Sequence, residues 1–205
     1  MSVLHRSLLR RACILVLLGT ALLAGCDAFA PRTPEAPGGE SGGFEQPDTP
    51  ERVVANLVRA LANLDPTAYR RSLAEPGGEA GAGFRFTPTP EAAARAPGLW
   101  AGWDAGAEDA YFRTLVAAAA PGTAFTLRLA DQSPPEVTDR RYVLDASYVL
   151  TTPHRRPEAP TSVQGRLRWT ITRGADGLWA LSDWQDRSLG AGTPSWSDLK
   201  AAFSR

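Results

Sequence analysis

Residues 163–184 run Val163-Gln164-Gly165-Arg166-Leu167-Arg168-Trp169-Thr170-Ile171-Thr172-Arg173-Gly174-Ala175-Asp176-Gly177-Leu178-Trp179-Ala180-Leu181-Ser182-Asp183-Trp184. Val163, Leu167, Trp169 and Ile171 alternate with Gln164, Arg166, Arg168, Thr170 and Thr172, the period of a strand that buries one face and wets the other. Gly174-Ala175-Asp176-Gly177 supplies a tight hairpin turn. On the returning strand Trp179 and Leu181 share a face, but Trp184 falls on the opposite one, which predicts a bulge or sharp twist near Ser182.

Upstream, the same period recurs. Tyr142, Leu144, Ala146, Tyr148 and Leu150 alternate with Val143, Asp145, Ser147, Val149 and Thr151, and before a Pro/Asp-rich turn Phe125, Leu127 and Leu129 alternate with Thr126 and Arg128. Four strands in succession, joined by turns and loops, form an antiparallel meander with one apolar face. That face needs a cover, and the preceding residues supply it.

Thr49-Pro50-Glu51 sets a cap, a proline at the first helical position and an early carboxylate ahead of Val53, Val54, Leu57, Val58 and Leu61 at helical spacing. Asp65-Pro66 starts a second helix that carries Tyr69 and Leu73. Phe84-Arg85-Phe86 reads as a brief strand or edge piece, and Thr89-Pro90-Glu91 caps a short helix. A longer helix after Asp104 carries Tyr111, Phe112, Leu115 and Val116. Thr193-Pro194 is expected to cap a terminal helix with a Trp196, Leu199 and Phe203 seam.

The result is an α+β fold, with N-terminal helices packed on a twisted, curved antiparallel sheet and a C-terminal helix. The paired helices from Thr49 to Leu73 with their Asp65-Pro66 junction, and the closing hairpin with Gly177-Leu178-Trp179-Ala180-Leu181 and Trp184, resemble the nuclear transport factor 2-like superfamily of cystatin-like cones. Trp184-Gln185-Asp186 followed by the Ser195-to-Phe203 helix is similar to envelope lipoproteins of this shape. The resemblance covers about 155 residues and implies a cone whose mouth can hold a small apolar molecule; it rests on element order and so speaks to fold more than function.

At the other end, Arg6, Arg10 and Arg11 precede an apolar run from Ala12 to Leu23, too short to span a bilayer, and Leu23-Ala24-Gly25-Cys26 closes it. This resembles a bacterial lipoprotein signal peptide. The resemblance implies cleavage before Cys26, acylation of its thiol and new amino group, and a permanent hold on the membrane, since several chains exceed the marginal binding of one. Residues 1–25 are then the signal peptide, 26–48 a disordered Pro/Gly/Glu/Ser tether, and 49–205 the domain. The tether would hold the domain about 25 Å from the lipid. Asp27 leans toward the periplasmic face of the inner membrane, as in enteric lipoproteins.

Composition excludes several functions. The chain has 22 basic and 22 acidic residues; losing Arg6, Arg10 and Arg11 leaves 19 basic against 22 acidic, a net of −3 that does not suit nucleic acid. Lys200 is the one lysine among those basic residues, which reads as a genomic bias toward arginine. Cys13 departs with the signal and Cys26 is acylated, so no thiol remains for a disulfide, a zinc site or a nucleophile. His5 departs too, and His154 stands alone in a proline-flanked stretch that reads as a solvated hairpin loop. No cofactor, metal or catalytic set is expected.

Tyr111, Tyr142, Tyr148, Asp109 and Asp145 are the residue types of an isomerase- or cyclase-like site, yet no motif sets a carboxylate opposite a tyrosine, and Asp145 should point away from Tyr142. Asp104, Glu108 and Asp109 read more simply as a helix start and a surface pair of Asp109 with Arg113. The expectation is a membrane-anchored envelope module that binds a small ligand or an envelope partner without catalysis. An isomerase-like enzyme and a structural subunit of an envelope complex are the alternatives, with the oligomeric state open. Trp169, Trp179 and Trp196 are assigned to the core, whereas Trp100, Trp103, Tyr111, Tyr142, Tyr148 and Trp184 are candidates for a pocket mouth or surface.

Overall fold

The structure, a computed structural model, describes residues 43–77 and 83–204. The expected signal segment, Cys26 and the expected tether as far as residue 42 lie outside the described residues, as do residues 78–82. Helices α1 (Pro50–Ala62), α2 (Pro66–Arg71), α3 (Pro90–Arg95), α4 (Ala105–Ala117) and α5 (Trp196–Phe203) accompany strands β1 (Arg85–Thr87), β2 (Thr126–Ala130), β3 (Glu136–Val137), β4 (Arg141–Thr151), β5 (Ser162–Arg173) and β6 (Trp179–Arg187).

The sheet order is β1-β6-β5-β4-β2, with β3 also paired to β4. The expected meander is present as β2, β4, β5 and β6, each antiparallel to the next. Two elements depart from it. β1 lies parallel to β6, carrying the chain from the opening helices to the far edge of the sheet. The Pro/Asp-rich turn also contains the two-residue strand β3, too short to show a period.

The bulge falls at the expected place. Thr170 pairs with Asp183 and Ile171 with Leu181, so Ser182 has no cross-strand partner, and its hydroxyl donates to the Thr170 carbonyl at 3.0 Å. The extra residue turns Trp184 inward beside Trp169, with ring centroids 5.3 Å apart. Opposite them, Gly165 is required by close approach: a Cβ there would stand 2.6 Å from the Arg187 carbonyl oxygen and 2.7 Å from the Tyr148 hydroxyl.

Four helix starts stand where they were read. Thr49, Asp65, Thr89 and Asp104 are N-caps whose side chains accept from the first-turn amides, and proline opens the first three helices. The last helix begins later than Thr193-Pro194 suggested. Ser195 is its cap, in a capping box with Asp198, while the Pro194 carbonyl accepts from the Gln164 amide at 2.9 Å and keeps that pair extended along β5.

Packing is already established at residues 43–48, which the sequence reading gave to the tether. Phe44 is buried under the Arg71 guanidinium, 4.0 Å from the ring centroid. The Asn56 amide bonds the Glu45 backbone on both sides, at 3.0 and 2.6 Å, and the Trp179 amide donates to the Pro47 carbonyl at 2.7 Å. A continuous apolar core joins Phe44, the faces of α1, α2 and α4, the inner face of the sheet and α5.

Candidate functional site

The centre of the cone is polar and closed. α2 contributes Tyr69, α4 contributes Glu108, and the loop before α4 contributes Trp103. The Tyr69 hydroxyl donates to Glu108 Oε1 at 2.7 Å and the Trp103 indole donates to Oε2 at 2.7 Å. Lys200 enters from α5 and bonds both oxygens of the same carboxylate. Its Nζ lies 3.9 Å from the centroid of Phe86 and 4.0 Å from that of Trp184, with Tyr111 and Trp103 at 5.2 and 5.7 Å. The ammonium thus sits in an aromatic box with one carboxylate, a strong setting for a desolvated cation. Both Glu108 and Lys200 are 0% exposed.

A second network fastens the base of α5. The Tyr148 hydroxyl donates to Asp186 Oδ1 at 2.8 Å and accepts from the Trp196 amide at 2.7 Å. Asp186 Oδ2 receives the amide and hydroxyl of Ser197 at 2.7 and 2.6 Å. The Trp196 indole donates to the Tyr111 hydroxyl at 3.1 Å. These bonds offset the burial of the polar groups on the first turn of the helix.

Burial dominates the ionisation of both networks. It pushes the Lys200 ammonium down to about 8, against the opposing pull of the Glu108 charge and its hydrogen bonds. It raises the Tyr69 and Tyr111 phenols, and the negative Glu108 adds to each shift. Tyr148 is raised by burial and then by Asp186. Asp186 is raised by burial although its hydrogen bonds to Ser197 and Tyr148 work the other way. A lysine with a lowered pKa beside a carboxylate is the chemistry of a base or an amine nucleophile, but here both side chains are 0% exposed.

The candidate aromatics are therefore placed differently from the sequence reading. Trp100, Trp103, Tyr111, Tyr142, Tyr148 and Trp184 are all buried, Trp184 completely. Trp100, Trp103 and Trp184 pack around Phe86, and Tyr142 and Tyr148 belong to the inner face of β4. The bulge explains Trp184: it carries the residue from the wet side of β6 to the core. His154 is also packed rather than free. Its Nε2 is 3.1 Å from the Pro160 carbonyl, and its ring meets Phe203 edge-on with centroids 4.9 Å apart.

The carboxylates divide as the sequence implied, with one exception. Asp104 is the α4 cap and Asp109 holds Arg113 at 2.8 Å. Asp145 faces away from the core and holds Arg168 at 2.6 Å. Glu108 is the exception, because two of its partners, Tyr69 and Lys200, lie 39 and 92 residues away in the chain. The available signal was the solitary lysine of the sequence, seated on the apolar seam of its last helix.

Open space lies outside the cone. A groove of about 590 Å³ runs between α3, residues 158–160 and the glycine-containing loop from Ser188 to Pro194, with Glu91, Arg95, Glu158 and Asp198 along it. A smaller one of about 410 Å³ lies behind the β5–β6 hairpin. None of the six candidate aromatics lines either groove. Among the described residues no helix is long and apolar enough to cross a membrane, and no group of His, Cys, Asp or Glu is arranged to hold a metal.

Strand order, bulge and helix placement together define a helix-backed, curved α+β domain closed by its own C-terminal helix. No family model and no curated protein matches the chain. Solved structures of similar shape include a nuclear transport factor 2-like superfamily protein from Salmonella enterica serovar Typhimurium, with 15% identity over 68% of this chain and 90% of that one, TM-score 0.43. Another is a candidate dehydratase of the same family from Streptomyces avermitilis, with 15% identity over 68% and 92%, TM-score 0.46. A third is a candidate scytalone dehydratase from Novosphingobium aromaticivorans, with 10% identity over 71% and 88%, TM-score 0.49.

Proposed function

We propose that the chain is a membrane-anchored envelope lipoprotein, held through Cys26, whose nuclear transport factor 2-like domain binds an envelope partner or a small ligand without catalysis. The observation that carries this reading is the filled cone: Lys200, Glu108 and the surrounding rings occupy the space in which a substrate would sit. Recognition then falls to the outside, and the groove between α3 and the Ser188–Pro194 loop supplies concavity, exposed backbone and charge there. A photocrosslinking amino acid placed at Ser188 or Ala191 tests it in intact cells. One dominant adduct, absent when the same probe replaces Arg113 on the helical side, is the expected result. No adduct at either groove position ends the partner reading and leaves a small ligand as the one the groove has to bind. The anchor has its own test, because after a wash at about 300 mM salt the parent should stay with the membrane while mature-length Cys26→Ser protein is released.

A second reading is favoured by one feature. Tyr69–Glu108 and Tyr148–Asp186 are acid–tyrosine pairs of the type that stabilise an enolate. For that reading α5 has to leave the cone. Lys200→Ala, which empties the box, should then turn over an enolisable ketone; a variant that folds and remains inert removes the enzyme alternative.

A further inference from the structure

The outer face of the sheet has a charge that the rest of the domain lacks. The registers place Arg85, Arg187, Arg166, Arg168, Arg141 and Arg128 on the side opposite Trp169 and Tyr148. Among the described residues three carboxylates share that side: Asp183, Asp145 and Glu136. Asp145 and Glu136 are both engaged by Arg168, at 2.6 and 3.0 Å, and Asp145 reaches Arg187 at 3.7 Å. Arg85, Arg128, Arg141 and Arg166 have no ion-pair partner among the described residues.

Arg166 and Arg187 are directly opposed across β5 and β6. Like charges in that relation work against the sheet. A face that needed only to be wet is served by residues such as Gln164, Ser147, Thr170 and Gln185, which occupy neighbouring positions of the same face. An excess of six arginines over three carboxylates on one face is the signature of an anionic partner.

The form of the face selects that partner. The arginines span five strands, about 20 Å at ordinary strand spacing, and none of them lines the grooves at α3 and behind the β5–β6 hairpin. A broad patch without a pocket suits a planar array of charges better than a single ion. A second copy applied face to face would bring two net positive faces together, six arginines against three carboxylates on each. The sequence meanwhile joins this domain to Cys26 by the 16 residues 27–42, which would keep anionic headgroups at high effective concentration.

We infer that the outer face of the sheet is a docking surface for anionic phospholipid headgroups, on which the tethered domain lies. The inference depends on the lipid-anchor reading for proximity alone; the affinity resides in the arginines. Each arginine near an anionic leaflet adds to binding, and the attraction fades within a Debye length.

The test uses residues 26–205 carrying Cys26→Ser, which retain the whole packed core and no acyl chain. Vesicles of phosphatidylcholine with about 30% phosphatidylglycerol should sediment the protein at low salt, neutral vesicles should not, and about 300 mM salt should release it. Arg166→Glu with Arg187→Glu should reduce partitioning by about tenfold or more. A control with Arg52→Glu and Arg113→Glu makes the same change of net charge on the helices and should keep partitioning within about twofold of the parent. No preference for anionic vesicles, or equal loss in both double variants, overturns the inference. Partial retention of the outer-face variant on a heparin column, with full loss on vesicles, supports a surface rather than a generic polyanion site. Acyl labelling of Cys26 in cells reads the anchor separately, so its failure is distinguishable from that of the face.

Discussion

Replacing Lys200 by methionine keeps an unbranched side chain of similar length in the aromatic box but removes the charge that pairs with Glu108. The carboxylate retains the Tyr69 hydroxyl and the Trp103 indole as donors, and has no water to replace the ammonium because both residues are 0% exposed. Removing one partner of such a pair costs about 3–5 kcal/mol. A domain of this size holds about 5–15 kcal/mol in all, so the variant should be folded but much weakened. Glu108→Gln alone strands the ammonium instead, at a similar cost of about 3 kcal/mol. The double variant Glu108→Gln/Lys200→Met strands no charge. Its expense is one of two donors, Tyr69 or Trp103, left facing the amide nitrogen, about 1–3 kcal/mol. The two single losses therefore sum to more than the double loss by about 3–7 kcal/mol. Urea unfolding at pH 7, followed by tryptophan fluorescence with the slope held common to all four proteins, measures this coupling. Losses that add to within about 0.5 kcal/mol would mean that the two charges do not share a closed interior, and the argument for a filled cone would fail with them.

The same lysine sets a pH dependence. Its folded pKa lies at about 8 against the ordinary lysine value of 10.5, so between those values the unfolded chain holds a proton that the folded one has released, and stability rises with pH by up to about 1.4 kcal/mol per unit. The buried tyrosines, whose pKa values are raised, reverse the trend above the ordinary tyrosine range. Wild type should gain on Lys200→Met between about pH 8 and pH 10 in parallel urea titrations, and a flat or falling difference refutes the assignment. Gly165→Ala should lose about 1–3 kcal/mol, because its Cβ lands 2.6 Å from the Arg187 carbonyl and 2.7 Å from the Tyr148 hydroxyl; a neutral or stabilised variant in thermal unfolding contradicts that packing. Phe44→Ala should cost about 3 kcal/mol if residues 43–48 belong to the domain, and a loss under about 1 kcal/mol returns them to the tether.

The elements that were legible in the sequence are those whose determinants are local. Proline after a capping residue at Thr49, Asp65 and Thr89 fixed three helix starts, and strict alternation in β4 and β5 fixed their inner faces. Even the bulge could be read, because the mismatch between Leu181 and Trp184 is a contradiction within one strand. The same mismatch does not imply exposure: the bulge that resolves it also buries Trp184, so a tryptophan on the wrong side of an ideal strand is evidence about backbone before it is evidence about a surface. Glu108 failed for another reason. Its spacing to Asp104 and Arg113 is that of a solvated helical face, and its partners come from α2 and α5, so its role exists only once those elements meet. The converse feature, a lone lysine on the seam of Trp196, Leu199 and Phe203, was local and visible. A charge on an apolar stripe requires a buried counter-charge, and within α4 and its flank the choice was among Asp104, Glu108 and Asp109. Asp104 was needed as a cap and Asp109 was matched to Arg113. That left Glu108, so the pair that closes the cone was available by elimination to a reading that treated the lysine as a structural demand rather than as a quirk of composition.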